Sequence, residues 1–249
     1  MDKLIAQWMR LYLVPGFATP ERLARHLQGQ ETLAIAPVGG QTRCLVLPFP
    51  GDGSGGDAHW SALCELASIL QAEYGFPAPA VSISGADGYR LWLSFADPVP
   101  VAQAQLLLER LRAAHGCVPV ADASLPVPLP PCLDNASGKW AAFINPGMGA
   151  SFAEEPGLEM APPLAAQTAF LEGLESIGPA QFGQVLAALA PAPAPGPAAT
   201  PAQPQAHAPA DATPREGLLL RDATLEDIVR HLHALNIEPT FRHLLPGRS

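Results

Sequence analysis

The segment 84–90 (SGADGYR) combines a glycine-containing turn with a serine and an arginine, residue types that can hold a phosphate group. Backbone N–H groups in such a turn can form a concave anion site, and the guanidinium of Arg90 can contact an anion through two donors. The alternative interpretation is a hairpin turn with Asp-Gly at its tip and an exposed arginine on the next strand. The predicted phosphate-contacting residues are Ser84, Gly85, Gly88, Arg90 and Lys139, although a lysine at a strand start is typical of solvated surface.

The cysteines and histidines do not show the spacing of a metal site or of a catalytic nucleophile. The four cysteines are widely separated, without a C-x-x-C pair and without a histidine at ligand spacing, so the sequence does not indicate a zinc site. They are expected to be reduced, mostly buried thiols. Nothing pairs the histidines of the C-terminal part with a serine or cysteine nucleophile. We therefore expect no metal cofactor from this set.

The elements that must position these residues alternate between helices and strands. Apolar residues at helical spacing predict helices over 2–13, from Pro20 with Thr19 as N-cap, from His59 to Tyr74, and over 101–115. Two further short helices fit 163–177 and 179–190. Runs of β-forming residues predict strands over 32–38, 42–49, 79–84, 88–95 and 138–147, the first two joined as a hairpin. The order indicates one α+β unit, with a mixed sheet flanked by helices.

Composition and charge limit the classes of function. The chain has 249 residues, 48% of them hydrophobic, which is enough for a sizeable core. The net charge of −9 lacks the basic excess that is typical of nucleic-acid binders. The N-terminal segment places charges among apolar residues at helical spacing, and no apolar run is long enough for a membrane span. These features predict a soluble, cytoplasmic protein without membrane contact.

The last quarter of the chain has a different composition. Residues 191–214 are rich in proline and alanine and hold a single charge, Asp211, which predicts a disordered, semi-rigid linker. Residues 215–249 follow as a short tail in which 224–235 show an amphipathic helical pattern. So short a tail cannot form its own core, and we expect its helix to bind a protein partner. The predicted domains are 1–190, 191–214 and 215–249.

Four short motifs follow one another within residues 20–150, namely 26–29 (HLQG), 35–37 (IAP), 84–90 (SGADGYR) and 92–100 (WLSFADPVP). As an ordered series they resemble the primase-polymerase domain of the archaeo-eukaryotic primase superfamily, in the branch found in TOTE conflict systems and mobile elements. In that branch an H-L-x-G start and an I-x-P strand precede a strand that ends in Asp-x-Asp. A helix that begins near a tryptophan leads to a Ser-Gly-x-x-Gly-x-His strand and a W-x-F-F-x-x-P-V-P segment. The matching residues here are His26, Leu27, Gly29, Ile35, Pro37, Trp60, Ser84, Gly85, Gly88, Trp92, Phe95, Pro98, Val99 and Pro100.

The resemblance implies phosphoryl transfer with two divalent metals, held by the Asp-x-Asp pair and a third acid. In this sequence Pro48 and Pro50 stand at the positions of the two aspartates, and Arg90 stands at the position of the histidine. Only Asp122 matches a third acid. Proline offers no oxygen ligand, and one carboxylate cannot hold two magnesium ions. Asp52 and Asp57 lie just downstream, but their glycine-rich segment is typical of a flexible turn.

The sequence therefore predicts a catalytically inactive, primase-like accessory protein that binds nucleotide or nucleic acid, in the replication or defence system of a mobile element. The alternatives are a protein-interaction or regulatory subunit that uses the primase fold as a scaffold, and a primase with residual nucleotidyltransferase activity through non-standard acids. His26 is expected to serve packing or capping and not catalysis. We further expect the strand 42–49 to pair with the strands of 84–95, which places Pro48, Pro50 and Arg90 around one shallow cleft.

Overall fold

The computed structural model describes residues 1–51 and 57–190. Six α-helices form where apolar side chains recur every three to four residues. Thr19 caps the second of them, since its side chain accepts a hydrogen bond from the Arg22 N–H. The helices are α1 (Asp2–Leu11), α2 (Pro20–Leu27), α3 (Ala58–Ala72), α4 (Val101–Ala114), α5 (Leu164–Glu172) and α6 (Pro179–Ala188), with a 3-10 helix at Pro146–Phe152.

Seven strands form two sheets. They are β1 (Ala34–Ile35), β2 (Gln41–Pro50), β3 (Ala80–Ile83), β4 (Gly88–Pro100), β5 (Val127–Pro128), β6 (Cys132–Leu133) and β7 (Trp140–Ile144). The larger sheet has the order β2-β4-β3-β7-β6, so β2 is an outer strand. Its named pairs are antiparallel, and an isolated parallel bridge joins Phe95 to Ile177. The architecture is thus α+β with helices on both faces of the sheet, as predicted.

The two faces of the sheet bury two apolar clusters, because successive residues of a strand point to opposite sides. Leu45, Leu47 and Phe49 of β2 pack with α3 and α4 on one side. Cys44 belongs to the other cluster, with Trp92 of β4 and the inner residues of α1 and α5. We call this second side of the sheet the α1 face.

One strand pairing was predicted wrongly. Instead of forming a hairpin between 32–38 and 42–49, β1 is two residues long and pairs with β5. The expected pairing of 42–49 with the strands of 84–95 is present, since β2 pairs with β4. A single bridge between Val38 and Gln41 is all that remains of the hairpin. The 32–38 segment is held elsewhere, because Leu33 and Ile35 pack with Leu129 in one apolar cluster and the Leu129 N–H donates to the Leu33 carbonyl.

The cysteines are less uniformly buried than expected. Cys44 and Cys132 are buried, Cys117 is partly exposed and Cys64 is exposed, and all four are free thiols. Within 1–51 and 57–190, no helix is long and apolar enough to cross a membrane. The predicted linker 191–214 and the predicted helix 224–235 lie outside the described residues.

Candidate functional site

The end of β2 carries the two prolines that replace the expected acids. Pro48 lies directly opposite Arg90 of β4, and Pro50 lies opposite Gly88. Opposed residues of a ladder point to the same side of the sheet, so Pro48, Pro50 and Arg90 share the α1 face. Pro48 is partly buried, Pro50 is exposed and the Arg90 side chain is 19% exposed. The three positions therefore share one face, while the shallow cleft around them stays a prediction.

The prolines fit this strand without loss of a ladder bond. The Gly51 N–H donates to the Asp87 carbonyl at 2.7 Å, which places odd-numbered residues at the hydrogen-bonded positions of this end of β2. The nitrogens of Pro48 and Pro50 therefore point away from β4, towards the outer edge of the sheet. Proline is tolerated at such a position because it has no N–H to contribute.

The 84–88 turn is organised by its own serine. Ser84 Oγ accepts hydrogen bonds from the N–H groups of Ala86, Asp87 and Gly88, at 3.1, 2.8 and 3.0 Å. The Ser84 N–H donates to the Gly88 carbonyl, and the Gly85 N–H donates to the Pro156 carbonyl. All five backbone N–H groups of the turn are therefore satisfied within the chain. Phosphate contact by Ser84, Gly85 and Gly88 remains a prediction, and in this conformation these donors are occupied.

Gly85 also has a packing reason to be glycine. Its φ is +82°, and a Cβ there would lie 3.1 Å from the Lys139 carbonyl oxygen and the Ala141 nitrogen. The connection between β6 and β7 therefore lies directly against the turn. Ser137 strengthens this contact, since its hydroxyl donates to the Gly85 carbonyl at 2.6 Å.

Each cation near the turn lies beside carboxylates. Arg90 Nη2 lies 3.5 Å from Asp87 Oδ1. The charge of Arg90 also helps to lower the pKa of Asp134, which is lowered chiefly by a hydrogen bond from the Ser137 N–H. Lys139 forms an ion pair with Glu155, and its Nζ lies 3.7 Å from a Glu159 oxygen.

Sequence reasoning missed Asp87 and Asp134 as neighbours of Arg90. The segment 134–138 (DNASG) carried the available signal, because an aspartate followed by small residues and glycine is typical of a turn closed by the Asp side chain. Asp134 Oδ1 accepts from the N–H groups of Ala136 and Ser137, at 3.0 and 2.8 Å. What the sequence could not reveal is that β7 pairs with β3 and so brings this turn to Arg90.

Asp122 belongs to the segment after α4 and lies beside a different part of β2. It lines a groove with Thr42, Cys44 and Val46, and Val46 precedes Pro48 on the α1 face. The Asp122 carboxylate is exposed and accepts from the Ser124 hydroxyl at 2.6 Å and from the Ser124 N–H at 2.8 Å, which lowers its pKa. It already has partners within its own turn, and its role as a metal-binding remnant stays a prediction.

His26 is a packing residue, as predicted. It is 1% exposed, its Nδ1 accepts from the Leu33 N–H at 3.0 Å, and its Nε2 lies 2.8 Å from the Leu129 carbonyl oxygen. A ring nitrogen that accepts from an N–H leaves the proton on the other nitrogen. The neutral imidazole therefore donates to Leu129, and burial lowers its pKa.

No family model and no curated protein matches the sequence. Among solved structures, the chain is similar to the AEP domain of the primase-polymerase of cyanophage S-2L, with 17% identity and a TM-score of 0.41. The alignment covers 74% of this chain and 97% of the phage domain. No functional conclusion follows from a likeness at this identity and TM-score.

Proposed function

We propose that this chain is a primase-related protein that does not transfer nucleotides and acts by binding a protein partner. The relation to primases is supported by the ordered series from His26 to Pro100. Its TOTE-type ancestry and its place in the replication or defence system of a mobile element rest on the same series.

The observation that supports the absence of nucleotide transfer is the pair of prolines at the end of β2. Pro48 and Pro50 occupy the positions on the α1 face where the resemblance requires two aspartates. Two-metal phosphoryl transfer needs carboxylate oxygens to clamp the attacking and leaving oxygens. Proline supplies none, and within 1–51 and 57–190 no three His, Cys, Asp or Glu side chains come together in a metal-binding group. The residues at the β2 end do not fit a pair of divalent ions.

Charge around the turn favours a protein over a nucleic acid as partner. Arg90 and Lys139 face a larger number of carboxylates, which come from Asp87, Asp134, Glu155 and Glu159. A phosphate backbone would meet net repulsion here, because its binding depends on unpaired cations. In the proposed function the predicted helix at 224–235, outside the described residues, supplies the contact to the partner.

Primer synthesis and primer extension test the proposal. With Mg²⁺ or Mn²⁺, ribonucleotides or deoxyribonucleotides, and single-stranded template, we expect no product above a blank without protein. Incorporation that disappears in Asp122→Ala would establish the residual nucleotidyltransferase instead.

Fluorescence anisotropy at low salt tests the nature of the partner. We expect no saturable binding of single- or double-stranded DNA or RNA. Saturable binding that is weakened by Arg90→Ala or Lys139→Ala would favour the nucleic-acid or nucleotide alternative. A tagged full chain should retain a protein partner that a chain ending at residue 190 does not.

A further inference from the structure

A mostly apolar groove, here called the edge groove, runs beside the outer strand β2. It lies between three residues of β2 and the segments 35–37 and 122–127, the β2 residues being Thr42, Cys44 and Val46. About 20 Å³ of the groove is open to the centre of a water molecule, which is room for one or two waters or for one small side chain. The edge groove therefore cannot enclose a free small molecule, whereas it can receive a side chain from the surface of another protein.

Exposed apolar side chains border the edge groove on the side of the 122–127 segment. Leu125 lines the groove and is 60% exposed, and Val120, in the same connection after α4, is 74% exposed. Leucine and valine are usually buried, and apolar surface that is exposed next to a groove is typical of an interaction site. Burial of Leu125 by a partner would remove this surface from water.

The wall that carries Leu125 is held in place on both sides. The Ala123 N–H donates to Gln105 Oε1 of α4 at 3.0 Å, and the Leu129 N–H donates to the Leu33 carbonyl at 3.0 Å. Between these two points, Val127 of β5 pairs with Ile35 of β1. The edge groove is therefore formed before a partner binds, and its binding does not have to include the entropy of ordering this wall.

Asp122 gives the edge groove a single negative charge. Among the described residues that line the groove, it alone is charged. Asp122 Oδ1 accepts both hydrogen bonds from Ser124, so Oδ2 remains open to a further donor. The same two hydrogen bonds, from the hydroxyl and from the N–H of Ser124, lower the pKa of Asp122 and keep it ionised at neutral pH. An ionised carboxylate at the border of an apolar groove attracts a cation and repels a phosphate.

We infer that the edge groove binds a segment of the protein partner in which an apolar side chain lies next to a lysine or an arginine. The apolar side chain enters the groove and covers Leu125, while the cation pairs with Asp122 Oδ2. This inference rests on the proposed function, because it names the chemistry of the partner's surface. It adds a second contact to the one that we propose for residues 224–235.

Selection of short random peptides, displayed on phage, against the immobilised full chain tests the inference. We expect the enriched peptides to carry a lysine or arginine beside a leucine, isoleucine or methionine. Fluorescence anisotropy with an enriched peptide then measures its affinity for variants of the full chain. Asp122→Asn should weaken binding about threefold to fivefold and remove most of its salt dependence, because the ion pair lies at an exposed border. Leu125→Ser should weaken binding about fivefold or more, since it removes apolar contact area.

Two matched controls make the same kinds of change away from the edge groove. Glu172→Gln removes one exposed carboxylate from α5, and Leu106→Ser removes one exposed leucine from α4, and neither residue lines the groove. Both variants should bind the peptide as the unmodified protein does. Thermal unfolding midpoints within a few degrees of each other ensure that all five proteins are compared as folded chains.

The inference is overturned if no peptides are enriched, if the enriched peptides lack the cation, or if Asp122→Asn and Leu125→Ser bind as tightly as the two controls. It is equally overturned if sedimentation shows a dimer of the chain that Leu125→Ser dissociates, because a second copy would then occupy the edge groove. None of these results restores nucleotide transfer, which primer extension measures independently.

Discussion

At the scale of residues, the end of β2 carries prolines at the two positions where the resemblance implies aspartates. Pro48 and Pro50 lie two residues apart on one face, about 6.7 Å along the strand. Arg90 lies directly opposite Pro48, where it would form an ion pair with any carboxylate placed there. A metal site at these positions therefore requires both the introduction of acids and the removal of this competing cation.

Substitution of these three positions should introduce a metal site. The triple change Pro48→Asp, Pro50→Asp and Arg90→His should create a Mn²⁺ site on the α1 face, because two carboxylates and an imidazole then share it. We expect Mn²⁺ affinity to rise by about tenfold or more over the unmodified protein, measured by electron paramagnetic resonance of the free ion. The double change that keeps Arg90 should bind less tightly than the triple change. Equal, weak binding by all three folded proteins would contradict the assignment of these positions.

At the scale of elements, His26 connects three parts of the chain. It extends from α2 to the backbone at Leu33 and at Leu129, and the hydrogen bond from the Leu33 N–H exists only while the imidazole is neutral. Burial lowers its pKa from the ordinary value of 6.5, so the unfolded chain binds the proton more readily than the folded one. The stabilisation is complete above pH 6.5 and is lost as the pH falls through the lower, folded-state pKa.

We therefore expect the free energy of unfolding to fall between about pH 7.5 and pH 5. His26→Gln keeps one polar contact but cannot titrate, so its stability should be lower at pH 7.5 and should vary less with pH. Urea denaturation at a series of pH values measures both effects. Parallel curves for the two proteins would mean that other groups dominate the pH dependence.

The bounds of the helices and strands also show which parts of the fold could be predicted from the sequence. Helices α3 and α4 were predicted to within two residues, because their apolar periodicity is strong over more than ten residues. By contrast, β4 continues five residues beyond its predicted end at 95, and α5 ends five residues before its predicted end at 177. Strand β1 was assigned to the wrong partner, since two residues carry no periodic signal and its pairing with β5 depends on chain far away in sequence. Pro48 and Pro50 share a face because side chains alternate along a strand, and the expected pairing of this strand with β4 adds Arg90 to that face.

The neighbours of these site residues were not predictable in the same way. Glu155 and Glu159 approach Lys139 through an irregular segment, and Asp134 approaches Arg90 through a turn. Neither segment has a repeating apolar pattern from which its position in the fold could be predicted. Tertiary packing alone brings the carboxylates to the cations.

At the scale of the whole molecule, the two apolar clusters share one sheet. Leu45 and Leu47 face one cluster while Cys44 faces the other, so neither cluster can come apart without disturbing β2. Residues 1–190 should therefore unfold in a single cooperative step when expressed alone.

Calorimetry measures this directly. We expect the calorimetric and van't Hoff enthalpies to agree, near a value on the order of 130 kcal/mol for a domain of this length. A van't Hoff enthalpy well below the calorimetric one would indicate that the two faces unfold separately. A destabilised but still two-state variant, such as Leu47→Ala, serves as the control for cooperativity.

The prolines of β2 also restrict how a partner can approach. Partners commonly bind an outer strand by adding a strand of their own, which needs alternating donors and acceptors along the free edge. On β2 the Cys44 N–H is already bonded to Thr42 Oγ1, and the two prolines have no N–H to offer. This end of the sheet therefore resists both strand addition by a partner and edge-to-edge stacking of copies of the chain. A binding protein at this end must recognise side chains. Its affinity should therefore change with side-chain substitutions there, and should not depend on backbone hydrogen bonds to the free edge of β2.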